Sequence, residues 1–318
     1  MSYKKIGARI TGSWSSYAAS AFGVITDCGM WDLDKNLYGS FLGLTGICFQ
    51  TIYDKKCSAA SVTAYNWEKE HTEFLQRIGV TTDLCCSYNG EPHPTVLAEI
   101  KASLDTGKGA VLWGVDTGEF GVIYGYDDSD GVFFVSGIGG KDSGESTPLL
   151  YENLGNTFGN TLFCQFPLSY TVRLMEDRIN GALRYYVQHM KSDNTNYGLK
   201  AYNNLIYALE HGCDDFGLRY TTGVYTERKQ QASHFFGDEV RMLYKNNEST
   251  EKAAELYDDI KKLYEKIHFE MLNQDFSGWN HLDKPVSNEI KKAIVPHVKE
   301  IALKEKEVVT LIEMIIFK

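Results

Sequence analysis

The hydrophobic pattern of this chain changes near residue 168, and this change constrains the fold more than any other feature of the sequence. Before it, segments rich in Val, Ile, Phe, Trp and Tyr at 110–115, 119–126 and 132–136 are separated by Asp- and Gly-containing turns. That pattern predicts antiparallel strands joined by hairpins. After it, apolar residues recur at spacings of three and four, which predicts helices. We therefore predict an α+β domain over residues 1–168 and an all-α domain over residues 169–318.

Helical patterns also occur in the first domain, at 13–26, 67–78 and 95–104. In the second domain the longest apolar stripe runs through 289–317, where Glu305 interrupts it. A regular stripe on a terminal helix is typical of a helix that packs against a second copy. It suggests a homodimer as one hypothesis.

The charge of the chain excludes several classes of partner. Residues 1–168 hold 19 acidic and 11 basic residues, a net charge of −8, and the remaining 23 acidic and 21 basic residues give −2. An acidic protein is a poor ligand for nucleic acid or an anionic membrane surface. No apolar run approaches the about 20 residues of a membrane span, and no secretion signal opens the sequence. We expect a cytoplasmic protein with neither partner.

Neither a metal site nor a cofactor is expected from the motifs. The sequence has seven cysteines, and no two of them form a CxxC motif. An odd number argues against a disulfide framework, so most should be buried free thiols. The glycine-rich run at 137–143 lacks the spacing of a phosphate loop, and the acidic run at 127–131 lacks that of a calcium loop. His71 lies beside Glu70 and Glu73, which favours an exposed helix position over a catalytic base.

Five segments of the chain resemble the butirosin biosynthesis protein H family. They are Ser-Ser-Tyr-Ala-Ala-Ser at 15–20, Asp-Cys-Gly at 27–29, Gly-Leu-Thr-Gly-Ile-Cys-Phe at 43–49, the run 114–128 that ends in Gly-Tyr-Asp-Asp, and 223–236. The resemblance implies a papain-like N-terminal domain, similar to bacteriocin-processing cysteine peptidases, followed by a helical domain. It also implies an acyltransferase of secondary metabolism, which moves an aminoacyl group from a carrier-protein thioester to an amine.

The residues at the implied catalytic positions differ from the family pattern. The His-Cys pair of the family falls on Ser15-Ser16, which puts Ser16 at the nucleophile position, and its strand histidine falls on Glu119. A carboxylate is a weak base for a serine hydroxyl unless burial raises its pKa by several units. Cys28 is the alternative nucleophile. It is predicted near the C-terminal end of a helix, where the helix dipole disfavours a thiolate.

Three functions remain open from the sequence. The first is a protein that binds a small molecule or peptide on a papain-like scaffold without its Cys-His pair. The second is an acyl or aminoacyl transferase, or an amide hydrolase, that uses Ser16 or Cys28. The third is a structural or regulatory dimer. Glu119 could bind an amine or move a proton. The candidate binding residues are Ser15, Tyr17, Asp116, Tyr126, Glu227 and Arg228.

Overall fold

The computed structural model describes residues 2–34, 36–90, 95–140, 144–275 and 282–317. Its strands form one antiparallel sheet. They are β1 (Tyr3–Lys5), β2 (Val80–Ser87), β3 (Ala110–Trp113), β4 (Phe120–Asp127), β5 (Val132–Ser136), β6 (Leu149–Leu150) and β7 (Leu162–Tyr170). The helices are α1 (Ser16–Asp27), α2 (Tyr38–Thr45), α3 (Trp67–Arg77), α4 (Val96–Asp105), α5 (Met175–Met190), α6 (Gly198–His211), α7 (Asp215–Phe235), α8 (Arg241–Leu243), α9 (Glu248–Glu265) and α10 (Asn288–Ile316). The α+β class is confirmed, with a helical C-terminal region.

The sheet has the strand order β2-β7-β3-β4-β5-β6, and β1 pairs with the end of β4. The predicted hairpins are present, because β3 pairs with β4 and β4 pairs with β5 in antiparallel register. β7 returns between β2 and β3, so the sheet is not a simple meander. We did not predict β2, whose sequence alternates poorly between apolar and polar residues.

Helices cover both faces of this sheet. On one face, α4 contributes Val96, Ile100 and Leu104 to an apolar cluster with residues of β3, β4, β5 and β7. On the other face, the ring of Phe120 at the start of β4 lies 5.4 Å from Tyr17 of α1 and 5.1 Å from Trp67 of α3. The N-terminus of α1 is therefore held against the start of β4.

Gly23 allows α1 to pack against the preceding segment. A Cβ atom added at Gly23 would lie 1.8 Å from the carbonyl oxygen of Arg9. Alanine normally stabilises a helix by about 1 kcal/mol relative to glycine, but we expect Gly23→Ala to destabilise the protein by about 1–3 kcal/mol through this overlap. Urea unfolding measures the change. Gly12→Ala, at a position with no atom within 4 Å of the added Cβ, is the control, and stabilisation by Gly23→Ala would contradict the expectation.

The chain divides into two compact units whose boundaries differ from the single predicted boundary at residue 168. The first is Met1–Tyr38 with Trp67–Val172, and the second is Gly39–Asn66 with Arg173–Lys318. The reason is a set of non-local contacts made by residues 39–66. Phe49, which is fully buried, lies 5.0 Å from the ring of Tyr186. Tyr225 Oη accepts a hydrogen bond from Ile52 N at 2.8 Å and donates one to Ile52 O at 2.7 Å.

The centre of the helical unit holds a buried ion pair. Lys229 Nζ of α7 donates to Glu305 Oε1 of α10 at 2.7 Å, and both side chains are 0% exposed. The same ammonium donates to Thr51 Oγ1 at 3.1 Å. Three tyrosine hydroxyls donate to the Glu305 carboxylate, those of Tyr186, Tyr202 and Tyr257. Glu305, which interrupts the stripe in the sequence, is thus fully partnered inside the unit.

The apolar stripe of α10 is buried within the same unit. Ile294, Val298 and Ile301, together with Val308, Ile312 and Ile315, are each no more than 8% exposed. α10 packs against α5, α6 and α9. These six positions are covered within the unit, and Ile290 at the start of the stripe is half-buried. The dimer hypothesis therefore loses the feature on which it rested. Among the described residues, no helix has the length and apolar character needed to cross a membrane.

Candidate functional site

Ser16 is the first residue of α1, and its side chain is buried, with 6% of the residue exposed. Ser15 occupies the N-cap position, where its backbone oxygen accepts a hydrogen bond from Ala19 N and its own N–H donates to Ser13 Oγ. The first amides of a helix and its dipole favour negative charge at this end. An anion on or beside Ser16 would be stabilised there.

Glu119 lies directly before β4, at the end of the turn from β3. Its carbonyl oxygen accepts hydrogen bonds from Gly114 N at 2.9 Å and Val115 N at 3.2 Å, which fixes the turn. Its carboxylate is buried, with 7% of the residue exposed. The hairpin thus positions Glu119 as firmly as α1 positions Ser16.

The two side chains are in direct contact. Ser16 Oγ donates a hydrogen bond to Glu119 Oε2 at 2.5 Å, and Phe120 N donates to Ser16 Oγ at 3.2 Å. The resemblance implied that these two residues occupy the positions of a nucleophile and its base, and the structure brings them together across 103 positions of the chain. Both hydrogen-bonding roles of the hydroxyl are used, as donor to a carboxylate and as acceptor from an amide. The distance permits direct proton transfer.

Tyr17 and His71 form a stacked pair next to Ser16. Their ring centroids are 3.4 Å apart with an angle of 8° between the planes. Tyr17 Oη donates to Gln165 Oε1 at 2.9 Å and lies 3.1 Å from the carbonyl oxygen of His71. His71 is completely buried, so the predicted exposed position was wrong. Burial holds the pKa of His71 well below its ordinary value, which keeps the imidazole neutral.

Aromatic rings surround Phe120, whose N–H contacts Ser16. Trp113 lies 4.9 Å from Phe120 and 4.8 Å from Trp67, and Phe163 lies 5.8 Å from Phe120. We did not predict this cluster or the involvement of Gln165. A signal was present in α3, because Trp67, His71 and Phe74 recur at spacings of four and three and therefore share one helix face.

Asp116 is exposed and is held in the β3–β4 turn. Its φ of +64° is left-handed, and its Oδ2 accepts a hydrogen bond from Ser146 Oγ at 2.5 Å. A Cβ at Gly137 would lie 2.5 Å from the same oxygen, so the glycine permits this close packing.

The predicted hairpin turn at 127–131 is confirmed between β4 and β5. No cluster of His, Cys, Asp or Glu among the described residues could hold a metal ion.

Two other candidates lie far from Ser16. Cys28 is the C-cap of α1, twelve positions away, which is about 18 Å along a helix. Burial raises the pKa of its thiol, which disfavours the thiolate that a nucleophile requires. Tyr126 lies seven positions after Glu119 on an extended strand, about 23 Å away. Its hydroxyl donates to Asp105 Oδ1 at 2.8 Å, and its ring belongs to the α4 cluster.

Glu227 and Arg228 belong to α7 of the helical unit. Arg228 is buried, with its guanidinium carbon 5.5 Å from the ring centroid of Tyr225, and Glu227 is half-buried.

Comparison of the chain with protein-family models, curated proteins and solved structures gave no match. The resemblance to the butirosin biosynthesis protein H family therefore rests on the quoted residues alone.

Proposed function

We propose that the first unit is a papain-like scaffold that binds a small molecule or peptide at the Ser16–Glu119 pair without transferring an acyl group. The observation that carries the proposal is the buried hydrogen bond between Ser16 Oγ and Glu119 Oε2. A serine and a carboxylate stand at the positions where the resemblance implies a thiol and an imidazole. The hydroxyl releases its proton far less readily than a thiol, and a carboxylate takes it up less readily than an imidazole.

The neighbouring side chains suit a binding role. Trp67 and Trp113 supply broad apolar faces close to Phe120, and aromatic faces contribute much of the binding energy in small-molecule sites. The Ser16–Glu119 pair supplies polar atoms at the edge of this aromatic cluster, in which Trp67 is half-buried and Trp113 and Phe120 are buried. The helix N-terminus adds a preference for a negatively charged group beside Ser16.

The second candidate function is acyl transfer through Ser16. It is favoured by the 2.5 Å separation, because a carboxylate in contact with the hydroxyl is placed to accept its proton, and by the N–H of Phe120, which would stabilise the alkoxide. The acyl donor would be a thioester, such as one on a carrier protein. Cys28 is not favoured as nucleophile, because its pKa is raised and it lies at the opposite end of α1.

The two functions are distinguished by a fluorescent alkyl fluorophosphonate, which labels activated serines. We expect no labelling of the native chain above that of Ser16→Ala, since an unactivated hydroxyl does not react. Labelling of the native chain that is lost in Ser16→Ala would overturn the binding-only proposal and support acyl transfer.

Binding is tested separately by thermal shift with a panel of amino acids, dipeptides and small amines. A ligand present at 100 times its Kd stabilises a protein by about 2.7 kcal/mol, so we expect at least one class to raise the unfolding temperature of the native chain. Glu119→Gln should abolish that shift, and Glu152→Gln, at an exposed carboxylate in the same unit, should keep it. A shift that survives Glu119→Gln, or no shift with any class, would count against the proposal.

A further inference from the structure

Cys85 and Cys164 are direct partners in the antiparallel ladder of β2 and β7. Both residues are buried, at 1% and 0% exposure, in the apolar cluster that α4 covers. Their side chains therefore lie on the same face of the sheet. Neither cysteine takes part in a disulfide.

The ladder places the two residues within the range of a disulfide. Directly opposed residues of antiparallel strands have Cα atoms about 4.5–5.5 Å apart, and disulfides join Cα atoms about 4.4–6.8 Å apart. The Cα separation of the pair therefore suits a bridge. Cys86 is excluded from this arrangement, because successive residues of a strand point to opposite faces; its ladder partner is Phe163.

A carboxylate lies beside one of the two thiols. Cys85 Sγ donates a hydrogen bond to the Glu99 side chain of α4. Burial and this carboxylate raise the pKa of Cys85 well above its ordinary value, which keeps the thiol protonated and slows its oxidation by air. Glu99 is also placed to accept the thiol proton during a reaction.

We propose that Cys85 and Cys164 form a redox-sensitive pair that closes into a cross-strand disulfide when the protein meets a peroxide. Cys85 transfers its proton to Glu99, and its sulfur attacks one peroxide oxygen. The O–O bond breaks, the leaving hydroxide takes the proton from Glu99 and departs as water, and a sulfenic acid remains on Cys85. The sulfur of Cys164 then attacks that sulfur, the S–O bond breaks, and the leaving hydroxide takes the thiol proton of Cys164 and departs as a second water. Two thiols lose two electrons in total, and hydrogen peroxide is reduced to two waters.

The position of β2 gives the oxidant a route to the pair. Within the described part of the sheet, β2 is an end strand whose only strand neighbour is β7. End strands open locally at lower free energy than central ones, and the reaction with peroxide proceeds from this opened state, in which Cys85 loses the burial that raises the pKa of its thiol. Gln165 follows Cys164 on β7. Its side-chain oxygen accepts a hydrogen bond from the hydroxyl of Tyr17, and its side-chain nitrogen donates one to Thr82 Oγ1. The bridge would therefore fix the two strands beside the residue that holds Tyr17, the neighbour of Ser16.

The experiment treats the full chain with hydrogen peroxide, blocks remaining thiols by alkylation and maps peptides by mass spectrometry without reduction. We expect a loss of 2 Da and a linked peptide pair that contains residues 85 and 164. We also expect the unfolding temperature to rise by about 5 °C or more, because the bridge closes a long loop, and dithiothreitol should reverse the rise.

Single variants identify the bonded sulfurs. Cys86→Ala should keep both the linked peptide and the temperature shift, while Cys85→Ala and Cys164→Ala, matched in size change, should lose both. Circular dichroism before oxidation verifies that each variant is folded. If a variant is unfolded, the peptide map of the native chain still identifies the bonded pair. The proposal is overturned if peroxide links Cys85 to Cys86, links only other cysteines, or leaves Cys85 and Cys164 fully open to alkylation after denaturation.

Discussion

Lys229→Met is expected to lower the free energy of unfolding of the protein by about 3–5 kcal/mol, the range for breaking one partner of a buried ion pair. The ammonium and the Glu305 carboxylate are both fully buried, 2.7 Å apart. Removal of the ammonium alone leaves a carboxylate in a low-dielectric interior. The hydroxyls of Tyr186, Tyr202 and Tyr257 still donate to it, but they carry no compensating charge. Urea unfolding followed by far-ultraviolet circular dichroism measures the loss.

Removal of both charges should restore a large part of this stability. In Lys229→Met/Glu305→Gln, the amide oxygen of the new side chain still accepts from the tyrosine hydroxyls, and no charge is buried. We expect the double variant to be more stable than Lys229→Met by about 2 kcal/mol, within the coupling range of contacting residues. The reason is that an unpaired buried charge is more unfavourable than a neutral polar group.

The matched control is a lysine whose acidic partner lies on the same helix, α10, as Glu305. Lys191 Nζ contacts Glu313 Oε1 at 2.6 Å, but the two side chains are 54% and 33% exposed. Solvent screens this pair, so Lys191→Met should change stability by less than about 1 kcal/mol. Equal effects of Lys229→Met and Lys191→Met would contradict the importance assigned to the buried pair.

Ser16→Cys/Glu119→His is expected to create a thiol that iodoacetamide alkylates about 100 times faster at pH 7 than the thiol of Ser16→Cys alone. In the single variant, the thiol replaces a buried hydroxyl beside the Glu119 carboxylate, and a nearby negative charge raises the pKa of a thiol. In the double variant, an imidazole replaces that carboxylate at the N-terminus of α1. Thiols next to a cationic histidine or at helix N-termini have pKa values lowered to about 3.5–7.5.

The rate is measured by peptide mass spectrometry, which separates the introduced thiol from the seven native cysteines. Ser16→Cys/Glu119→Gln is the control, because it removes the carboxylate charge without supplying an imidazole. If the histidine variant reacts no faster than this control, residues 16 and 119 do not have the geometry of a Cys-His pair. The papain-like part of the proposed function would then lose its support, while the binding tests would stand separately.

Local sequence features predicted the elements that depend on neighbouring residues. The β3–β4 and β4–β5 hairpins follow from Val, Ile and aromatic runs between turn residues, and these are present within a few positions of the prediction. Ser16 and Glu119 were identified individually through the resemblance. Their contact was not predictable from periodicity, because it depends on how α1 packs against β4.

Features that depend on distant residues were missed. Residues 39–66 contain a short helix without an amphipathic stripe, so nothing in their pattern indicates which unit they join. His71 was assigned to the surface from its acidic neighbours, although the Trp67–His71–Phe74 spacing marks the buried face of α3. Glu305 was visible as a charge on an apolar stripe, but its partner on α7, 76 positions earlier, was not.

The inclusion of residues 39–66 in the helical unit has a consequence for synthesis on the ribosome. Ile52 is made 173 residues before Tyr225, whose hydroxyl it contacts. At about 5–20 residues per second, this interval lasts roughly 9–35 s. Phe49 is fully buried in the finished protein, and of its ring neighbours Tyr186, Phe235 and Tyr257 only Tyr186 is synthesised within this interval. The nascent chain therefore carries an unsheltered apolar segment while the rest of the first unit emerges, and the helical unit becomes complete only after α10 has been synthesised.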